Sequence, residues 1–226
     1  MMRSAPRSYV HRGDAERRAR RVRYGFILAG LVTALVMLAR ERGPQEATAA
    51  GLFGASSVAL RHELDATRGE LELANAQLAR WHRIYAYSSR FKIPADLAGS
   101  IFDVALAEGI EPELAFRLVR LESDFNEHAT SKVGAMGLTQ LMPSTARYFD
   151  KRATGTRLYE REMNLRIGFR YLRTLIKEYR GNVKLALLVY NRGPGAVTAS
   201  RENGDDPSNG YDRILLKGFK GKATVN

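Results

Sequence analysis

The segment Glu111–Phe125, with the sequence EPELAFRLVRLESDF, predicts a helix that ends next to one unusually placed acid. Pro112 is suited to the first turn of such a helix. The apolar residues that follow repeat at helical spacing and form one stripe: Leu114, Leu118, Leu121 and Phe125. Glu122 comes one turn after Leu118, at about 40° around the helix, so its carboxyl group borders this stripe.

The position of Glu122 beside apolar residues bears on its acidity. Removing a carboxylate from water without a paired cation raises its pKa, as a general acid that works near neutral pH requires. The same-face neighbours Leu118, Val119, Phe125 and Asn126 include no cation. Glu122 is therefore a candidate catalytic acid, although a glutamate at a helix end is more often simply exposed.

The rest of the chain is helical in pattern. Few segments alternate polar and apolar residues, so the sequence predicts a mainly α fold. After the stretch GAMGLTQLMP at residues 134–143, Asn164 is the expected N-cap of a helix over Leu165–Tyr179. Asn182 is the expected N-cap of the next helix, over Val183–Tyr190.

The composition excludes several kinds of site. Cys 0 and His 4 leave no thiol chemistry and few metal ligands, so we expect no metal and no cofactor. The formal net charge of +12 is typical of proteins with anionic partners. No aromatic-basic ribbon or recognition motif accompanies it, so we expect no nucleic-acid partner.

Half of that charge lies in residues 1–23, where eight arginines oppose two acids. The uncharged segment Tyr24–Ala39 follows, between Arg23 and Arg40. As a helix it would reach roughly 24 Å, and the flanking arginines can extend to the head groups of a bilayer core that is ~30 Å thick. The sequence therefore predicts a single-pass anchor at 24–39 in membrane lipid, with the Arg-rich head 1–23 in the cytoplasm.

Two other interpretations of this segment stay open. One is a buried core helix, which the neighbouring arginines make less suitable. The other is a cleaved signal peptide, since Ala47-Thr48-Ala49 has the small-x-small form of a cleavage site near Ala49. The charges of Arg40, Glu41 and Arg42 stand between the apolar run and that site, and they favour an uncleaved anchor.

The stretch between anchor and domain has two parts. Residues 40–59 are rich in Gly, Ala, Ser and Thr and predict a flexible linker, whereas residues 60–90 predict an amphipathic helical stalk. One heptad position holds Leu64, Leu71, Leu78 and Tyr85, and the other holds Leu60, Thr67, Ala74 and Trp81. The 60–85 helix is compatible with packing on its own domain, with a free-standing stalk or with a dimeric coiled coil, for which Thr67 and Ala74 are poor seam residues.

Four separated motifs occur in one order along the chain. They are Glu122-Ser123 with Phe125, the run Gly134–Leu138 with Gln140–Ala146, Asn164-Leu165 with Gly168 and Tyr171-Leu172, and Leu185-Ala186 leading to Tyr190-Asn191 and Gly193-Pro194-Gly195. In these motifs, over residues 93–216, the chain resembles the soluble lytic transglycosylase family. Members are relatives of goose-type lysozyme with a lysozyme-like α-helical fold, and they cleave the glycan strands of peptidoglycan.

The resemblance implies roles for particular residues. Glu122 would be the single catalytic acid, and Ser123 would support it. Gly137 and Gln140 would line the glycan groove. The remaining substrate contacts implied are Met142, Tyr190 and Asn191. Catalysis would proceed without a metal.

The chain also departs from the family pattern. Thr139 stands where a Met is often found, Val189 replaces an Ala, and Arg192 replaces a small residue. Within residues 207–216, Tyr211 is kept, but the Glu-Thr that often precedes it is missing.

The resemblance and the single acid together predict a reaction. A normal glycosidase needs a second carboxylate, about 5–5.5 Å from the first as a nucleophile or about 6.5–9.5 Å away as a base. Asp124 points away at near 200° around the helix, and no motif places Asp150, Glu160 or Glu162. We therefore predict a lytic transglycosylase that cleaves the MurNAc-GlcNAc β-1,4 bond and forms 1,6-anhydro-MurNAc ends, with Glu122 as acid and then base.

Two alternatives remain: a lysozyme-like hydrolase, and a non-catalytic membrane-tethered scaffold that binds peptidoglycan. The predicted plan is a bacterial inner-membrane protein with a periplasmic catalytic domain at 91–220 and a tail at 221–226. In that plan the 60–85 helix would serve a dimer or a partner from the wall machinery.

Overall fold

The computed structural model describes residues 30–33, 37 and 46–225, with the backbone alone for 46–56. The Arg-rich head and most of the predicted anchor lie outside the described residues, and those of the anchor that are described, 30–33 and 37, are helical. In the part of the chain that the structure describes, no helix combines the length and the apolar character needed to cross a membrane.

The chain divides into two compact units, residues 1–72 and residues 73–226. The helix α1, Glu46–Phe91, begins in the first and ends in the second. The flexible linker was expected for residues 40–59, and the described part of it, residues 46–59, is helical. Alanine is the strongest helix former, and the alanines of EATAAGLFGASS offset the helix-weakening effect of its two glycines.

The second unit is mainly α, as predicted. After α1 its helices are α2 Ala95–Ala107, α3 Pro112–Ser123, α4 Pro143–Phe149, a 3₁₀ turn Gly155–Tyr159, α5 Arg161–Glu178, α6 Val183–Arg192, α7 Pro194–Glu202 and α8 Tyr211–Leu216. Extended pairing within the described residues is limited to three isolated bridges. Two of them, Thr130 to Met136 and Met136 to Leu141, shape the loop between α3 and α4.

Helices α2, α3, α5 and α6 enclose the main core. Its largest fully buried side chains include Ile101, Leu114, Phe116, Leu118, Leu165 and Phe169. A smaller core lies under the loop that leads into α4, and it contains Leu141, Ala146, Ala153, Leu158 and Ile167. The two cores hold the loop and the end of α3 in fixed positions, because close-packed interiors resist displacement.

The carboxyl-terminal part of α1 packs on this domain. Ile84 is completely buried, and Tyr87 stacks on Phe116 with ring centroids 4.2 Å apart. Arg80 donates a hydrogen bond to Asp103 at 2.8 Å. This end of the predicted stalk is therefore part of the domain.

The structure confirms the predicted starts of α3 and α6 but not that of α5. Pro112 begins α3, and Asn182 caps α6 by accepting a hydrogen bond from the Leu185 N–H at 3.1 Å. The N-cap prediction for Asn164 is wrong, because α5 begins at Arg161 and the amide of Asn164 bonds to other segments instead. Leu121 is also more exposed than the apolar stripe predicts.

Candidate active site

Glu122 lies in the last turn of α3, which ends at the next residue. Asp124 and Phe125 have left-handed backbone conformations, with φ values of 47° and 63°. The chain therefore turns away from the helix axis immediately after the acid. Left-handed conformations cost free energy for non-glycine residues and are concentrated at functional sites.

The surroundings of Glu122 raise its pKa from 4.5 to about 7. Burial is the larger cause, because a carboxylate that has lost water is less stable than the neutral acid. Leu118 and Val119, one turn earlier, are completely buried. A hydrogen bond from Tyr211 acts in the opposite direction and lowers the pKa. At this pKa about half of the Glu122 side chains carry a proton at neutral pH.

Tyr211 begins α8, and its buried hydroxyl donates a hydrogen bond to Oε1 of Glu122. Burial, followed by the nearby charge of Glu122, raises the pKa of Tyr211 well above its ordinary value. Tyr211 therefore stays protonated and acts as a donor. Because Oε1 accepts this bond, a proton on Glu122 is expected on Oε2.

The segment before Tyr211 is held by side chains. Arg192 donates hydrogen bonds to the Pro207 carbonyl and, at 3.3 Å, to Oγ of Ser200. The N–H of Tyr211 donates to Oδ1 of Asn209 at 3.2 Å. Arg192, one of the departures from the family pattern, thus ties this segment to α7.

Ser123 links the acid's helix to the loop at 134–143. Its hydroxyl lies 2.8 Å from the Leu138 carbonyl and 3.1 Å from the Val119 carbonyl. A hydroxyl has one hydrogen, so it donates to one of these two oxygens at a time. The supporting role predicted for Ser123 is compatible with this link between Glu122 and the loop.

Gly137 sits in that loop with φ 75°, against the buried side chain of Asn164. A Cβ atom built at Gly137 would lie 2.3 Å from Nδ2 of Asn164 and 2.5 Å from the Leu158 carbonyl. No larger residue fits, because contacts this short do not occur between nonbonded atoms. Gly137 therefore has a packing role in addition to the glycan contact predicted for it.

The amide of Asn164 organises the loop. Its Nδ2 donates to the carbonyls of Met136 at 2.9 Å and Leu158 at 2.8 Å. Its Oδ1 accepts from both the N–H and the hydroxyl of Thr139, each at 2.8 Å. Thr139 is completely buried and faces Gly168, so it belongs to the interior here.

The other predicted substrate contacts lie in the loop at 134–143 or on α6. Gln140 folds back, and its Nε2 donates to the Gly137 carbonyl at 2.9 Å. Met142 is exposed at the start of α4. Asn191 is exposed and accepts a hydrogen bond from Asn209 at 2.8 Å.

Tyr190 is the predicted substrate contact whose pKa responds to the charge of Glu122. Its hydroxyl donates to the Thr139 carbonyl at 2.9 Å, and its ring centroid lies 5.1 Å from that of Tyr171. Burial raises the pKa of Tyr190 well above its ordinary value, and the nearby charge of Glu122 adds to the effect. Tyr190 and Tyr211 therefore both lie within electrostatic range of the acid.

The sequence that forms this site is similar to that of known proteins. Residues 99–210 match the sequence model of the family described as "Transglycosylase SLT domain". The chain carries an SLT domain.

Relatives of the SLT domain occur in enzymes that are much longer than this chain. The soluble lytic murein transglycosylase of Salmonella typhimurium is 32% identical over 148 residues, which cover 54% of this chain and 22% of the relative. The membrane-bound lytic murein transglycosylase C of Actinobacillus pleuropneumoniae is 35% identical over 103 residues, 39% of this chain and 28% of the relative. The match thus spans between a fifth and a third of these relatives.

A solved structure is also similar. The 70 kDa soluble lytic transglycosylase from Escherichia coli is 27% identical, with a TM-score of 0.47, and the match covers 57% of this chain and 24% of that chain.

Three other acids of the SLT domain, Asp124, Asp150 and Glu160, are exposed or paired with arginines. Burial and Tyr211 account for the shifted pKa of Glu122, and no second carboxylate contributes. A hydrogen bond from Arg152 is the largest cause that lowers the pKa of Asp150 to about 2. Glu160 is paired with Arg157 at 2.8 Å, and Asp124 is exposed. Among the described residues, no three His, Asp or Glu side chains are grouped to hold a metal ion.

One residue of the site had no role assigned from the sequence. Tyr211 lies 89 positions after Glu122 in the sequence. The feature that could have identified it is that this tyrosine is kept from the family pattern. The packing partners Asn164 and Gly137 were recognised as motif residues, but their contact with each other depends on the fold of the SLT domain.

Proposed function

We propose that this chain is a peptidoglycan lytic transglycosylase that cleaves the MurNAc-GlcNAc β-1,4 bond and leaves 1,6-anhydro-MurNAc ends. The observation that carries the proposal is the carboxyl group of Glu122, which has a pKa of about 7 beside the Tyr211 hydroxyl in an SLT domain. A general acid works best with a pKa near the operating pH. The names of the relatives, which are lytic murein transglycosylases, support the same reaction.

The proposed reaction begins with proton transfer from Oε2 of Glu122 to the glycosidic oxygen. The bond from this oxygen to C1 of MurNAc breaks, and the N-acetyl group of the substrate stabilises the positive charge at C1. The C6 hydroxyl of the same sugar then attacks C1, and the Glu122 carboxylate accepts its proton. Glu122 returns to its protonated state, and no water is consumed.

Tyr211 and burial each support one half of this cycle. Its hydrogen bond to Oε1 favours the ionised carboxylate that must form after the first proton transfer. Burial favours the neutral acid that must donate the proton. The two effects oppose each other, and together they keep the pKa of Glu122 near neutrality.

The substrate contacts and the cellular location belong to the proposal as well. Gly137, Gln140, Met142, Tyr190 and Asn191 would line the glycan groove around Glu122. The chain would be anchored in the bacterial inner membrane by residues 24–39, with the catalytic domain in the periplasm. Cleavage near Ala49 would instead release it into the periplasm.

Mass spectrometry of the products tests the reaction. Purified peptidoglycan is digested with the full chain, and the muropeptides are weighed. We expect ends that are lighter than reducing ends by the mass of one water. Reducing ends would identify a hydrolase, and intact strands that stay bound to the protein would identify a scaffold; either result contradicts the proposal.

The pH dependence of kcat/KM reports the ionisation of Glu122. The free enzyme must hold a proton on Glu122, whose pKa is about 7. We expect kcat/KM to fall above pH 7, by about tenfold for each further pH unit. Release of soluble muropeptides measured from pH 5 to pH 9 checks this. A flat profile across that range would show that another group supplies the proton.

Tyr211→Phe removes the hydrogen bond that lowers the pKa of Glu122. The pKa of Glu122 should rise, so the fall in kcat/KM should move to higher pH. Tyr190→Phe is the matched control, since its hydroxyl bonds to the Thr139 carbonyl and not to Glu122. The pH of half-maximal kcat/KM should shift in the first variant only, and an unchanged value in both would contradict the role of Tyr211.

A further inference from the structure

The helix α1 has an apolar seam, which consists of Leu60, Leu64, Leu71, Leu78, Trp81 and Tyr85. These side chains are between 55% and 71% exposed. Their spacing alternates between four and three residues, except where Thr67 and Ala74 occupy seam positions. A strip of large apolar side chains this exposed on a single helix indicates a contact with another surface.

Within the second unit, the domain does not cover the seam residues Leu78, Trp81 and Tyr85. Where α1 packs on the domain, the contacts are made by Arg80, Ile84, Tyr87 and Phe91. These residues repeat at spacings of four, three and four and define a different stripe of the helix. Leu78, Trp81 and Tyr85 alternate with them and stay exposed, so they remain available to a partner.

The charges beside the seam favour a second copy of the chain as the partner, in a parallel orientation. With Leu64 and Leu71 at heptad position a, Glu63 and Glu70 fall at position g, and Arg61 and Arg68 fall at position e. In a parallel two-stranded coiled coil, g of one helix lies near e of the next heptad on the other helix. Glu63 of one copy would then face Arg68 of the second, and the symmetry of the pair makes this contact twice.

An antiparallel pair would bring like charges together, because g then faces g and e faces e. Arg68 also bonds to Glu72 in its own helix at 3.3 Å, but both side chains are exposed and such pairs are weak. Arg68 can therefore turn to Glu63 of a second copy.

We propose that this seam pairs with the same seam of a second copy of the chain, as a parallel, in-register coiled coil. The pairing does not rest on the chemistry of Glu122. It would bring the two Phe91 ends, from which the two SLT domains continue, to the same end of the coiled coil.

Disulfide trapping in the full chain tests the proposal directly, because the sequence has Cys 0 and each introduced cysteine stands alone. Ala74→Cys places a thiol in the seam, and Ala76→Cys, also exposed, places one on the opposite face as a matched control. On oxidation of the detergent-purified protein we expect a covalent dimer for Ala74→Cys and monomer for Ala76→Cys. Equal cross-linking of the two variants would overturn the proposal.

A second cysteine variant tests the direction of the pairing. Thr67→Cys should cross-link to itself as readily as Ala74→Cys does, since both are seam positions of an in-register parallel pair. In an antiparallel pair at most one seam position can lie opposite itself, so a Thr67→Cys variant that stays monomeric while Ala74→Cys cross-links would contradict the proposal.

A second measurement does not depend on cysteine geometry. Leu71→Glu and Leu73→Glu change two leucines with nearly equal exposure, 60% and 61%, but only Leu71 is in the seam. By sedimentation in detergent, Leu71→Glu should shift from dimer to monomer and Leu73→Glu should stay dimeric. A wild-type chain that is monomeric in this experiment would refute the pairing and would indicate that the seam binds a different protein.

Discussion

Glu122→Gln should reduce the release of soluble muropeptides by about 10³-fold or more, since general acid–base catalysis typically contributes 10²–10⁴-fold. Glutamine has nearly the shape of glutamate and keeps an oxygen that can accept the Tyr211 hydrogen bond. What it lacks is the proton that Glu122 donates and later recovers in the proposed reaction. The loss should therefore fall on kcat, while binding of intact glycan is retained.

The same substitution should stabilise the folded protein at alkaline pH. The pKa of Glu122 is about 7 in the folded chain and near 4.5 when exposed. Between these values the folded state holds a proton that the unfolded state has lost, so the free energy of unfolding falls as pH rises from 4.5 to 7. Glutamine does not titrate and should be more stable than wild type by about 3 kcal/mol at pH 8, at about 1.4 kcal/mol for each pKa unit. Near pH 4 the two proteins should differ little.

Asp124→Asn is the matched control for both measurements. Asp124 is exposed, lies two residues further along, and has a left-handed conformation that asparagine tolerates. It should keep activity and show no pH-dependent gain in stability. Denaturant unfolding at pH 4 and pH 8, together with muropeptide release, separates the outcomes. Activity retained by Glu122→Gln would show that another group is the acid.

Asn164→Ala should destabilise the domain by about 3–5 kcal/mol, because it leaves several buried polar groups unsatisfied at once. The Leu158 carbonyl loses its donor and the Thr139 N–H loses its acceptor, whereas the Met136 carbonyl keeps the Leu141 N–H as a second donor. The cavity left by the amide adds to the cost, because Asn164 is almost completely buried. Urea unfolding monitored by circular dichroism measures the change.

Asn182→Ala supplies the comparison for this prediction. It removes one hydrogen bond at an exposed helix start, and such N-cap losses cost about 1 kcal/mol. The ratio of the two losses in free energy of unfolding distinguishes a buried hydrogen-bond network from a single helix cap. Similar losses for both would mean that water satisfies the loop when the Asn164 amide is absent.

Local features of this protein could be predicted from local sequence. The start of α3 at Pro112 and the cap of α6 at Asn182 follow from residues within one helical turn of each other. The choice of Glu122 as candidate acid followed from its place beside Leu118 on the same helix. Helical spacing is a property of neighbouring residues, so it can be seen without the fold.

Expectations that depended on distant contacts were less accurate. Asn164 was expected to cap its own helix, but its amide bonds to Met136, Leu158 and Thr139. A side-chain amide can satisfy either a helix start or a separate loop, and only the packing of the loop against α5 decides between them.

By itself, the sequence determined a mainly α domain, the helix that carries Glu122 and the motifs of the SLT family. Only the tertiary structure decided that Tyr211 donates to Glu122 and that burial raises the pKa of this acid to about 7. The physical reason is that helix formation depends on residues three or four positions apart, whereas desolvation depends on whichever segments the fold brings together.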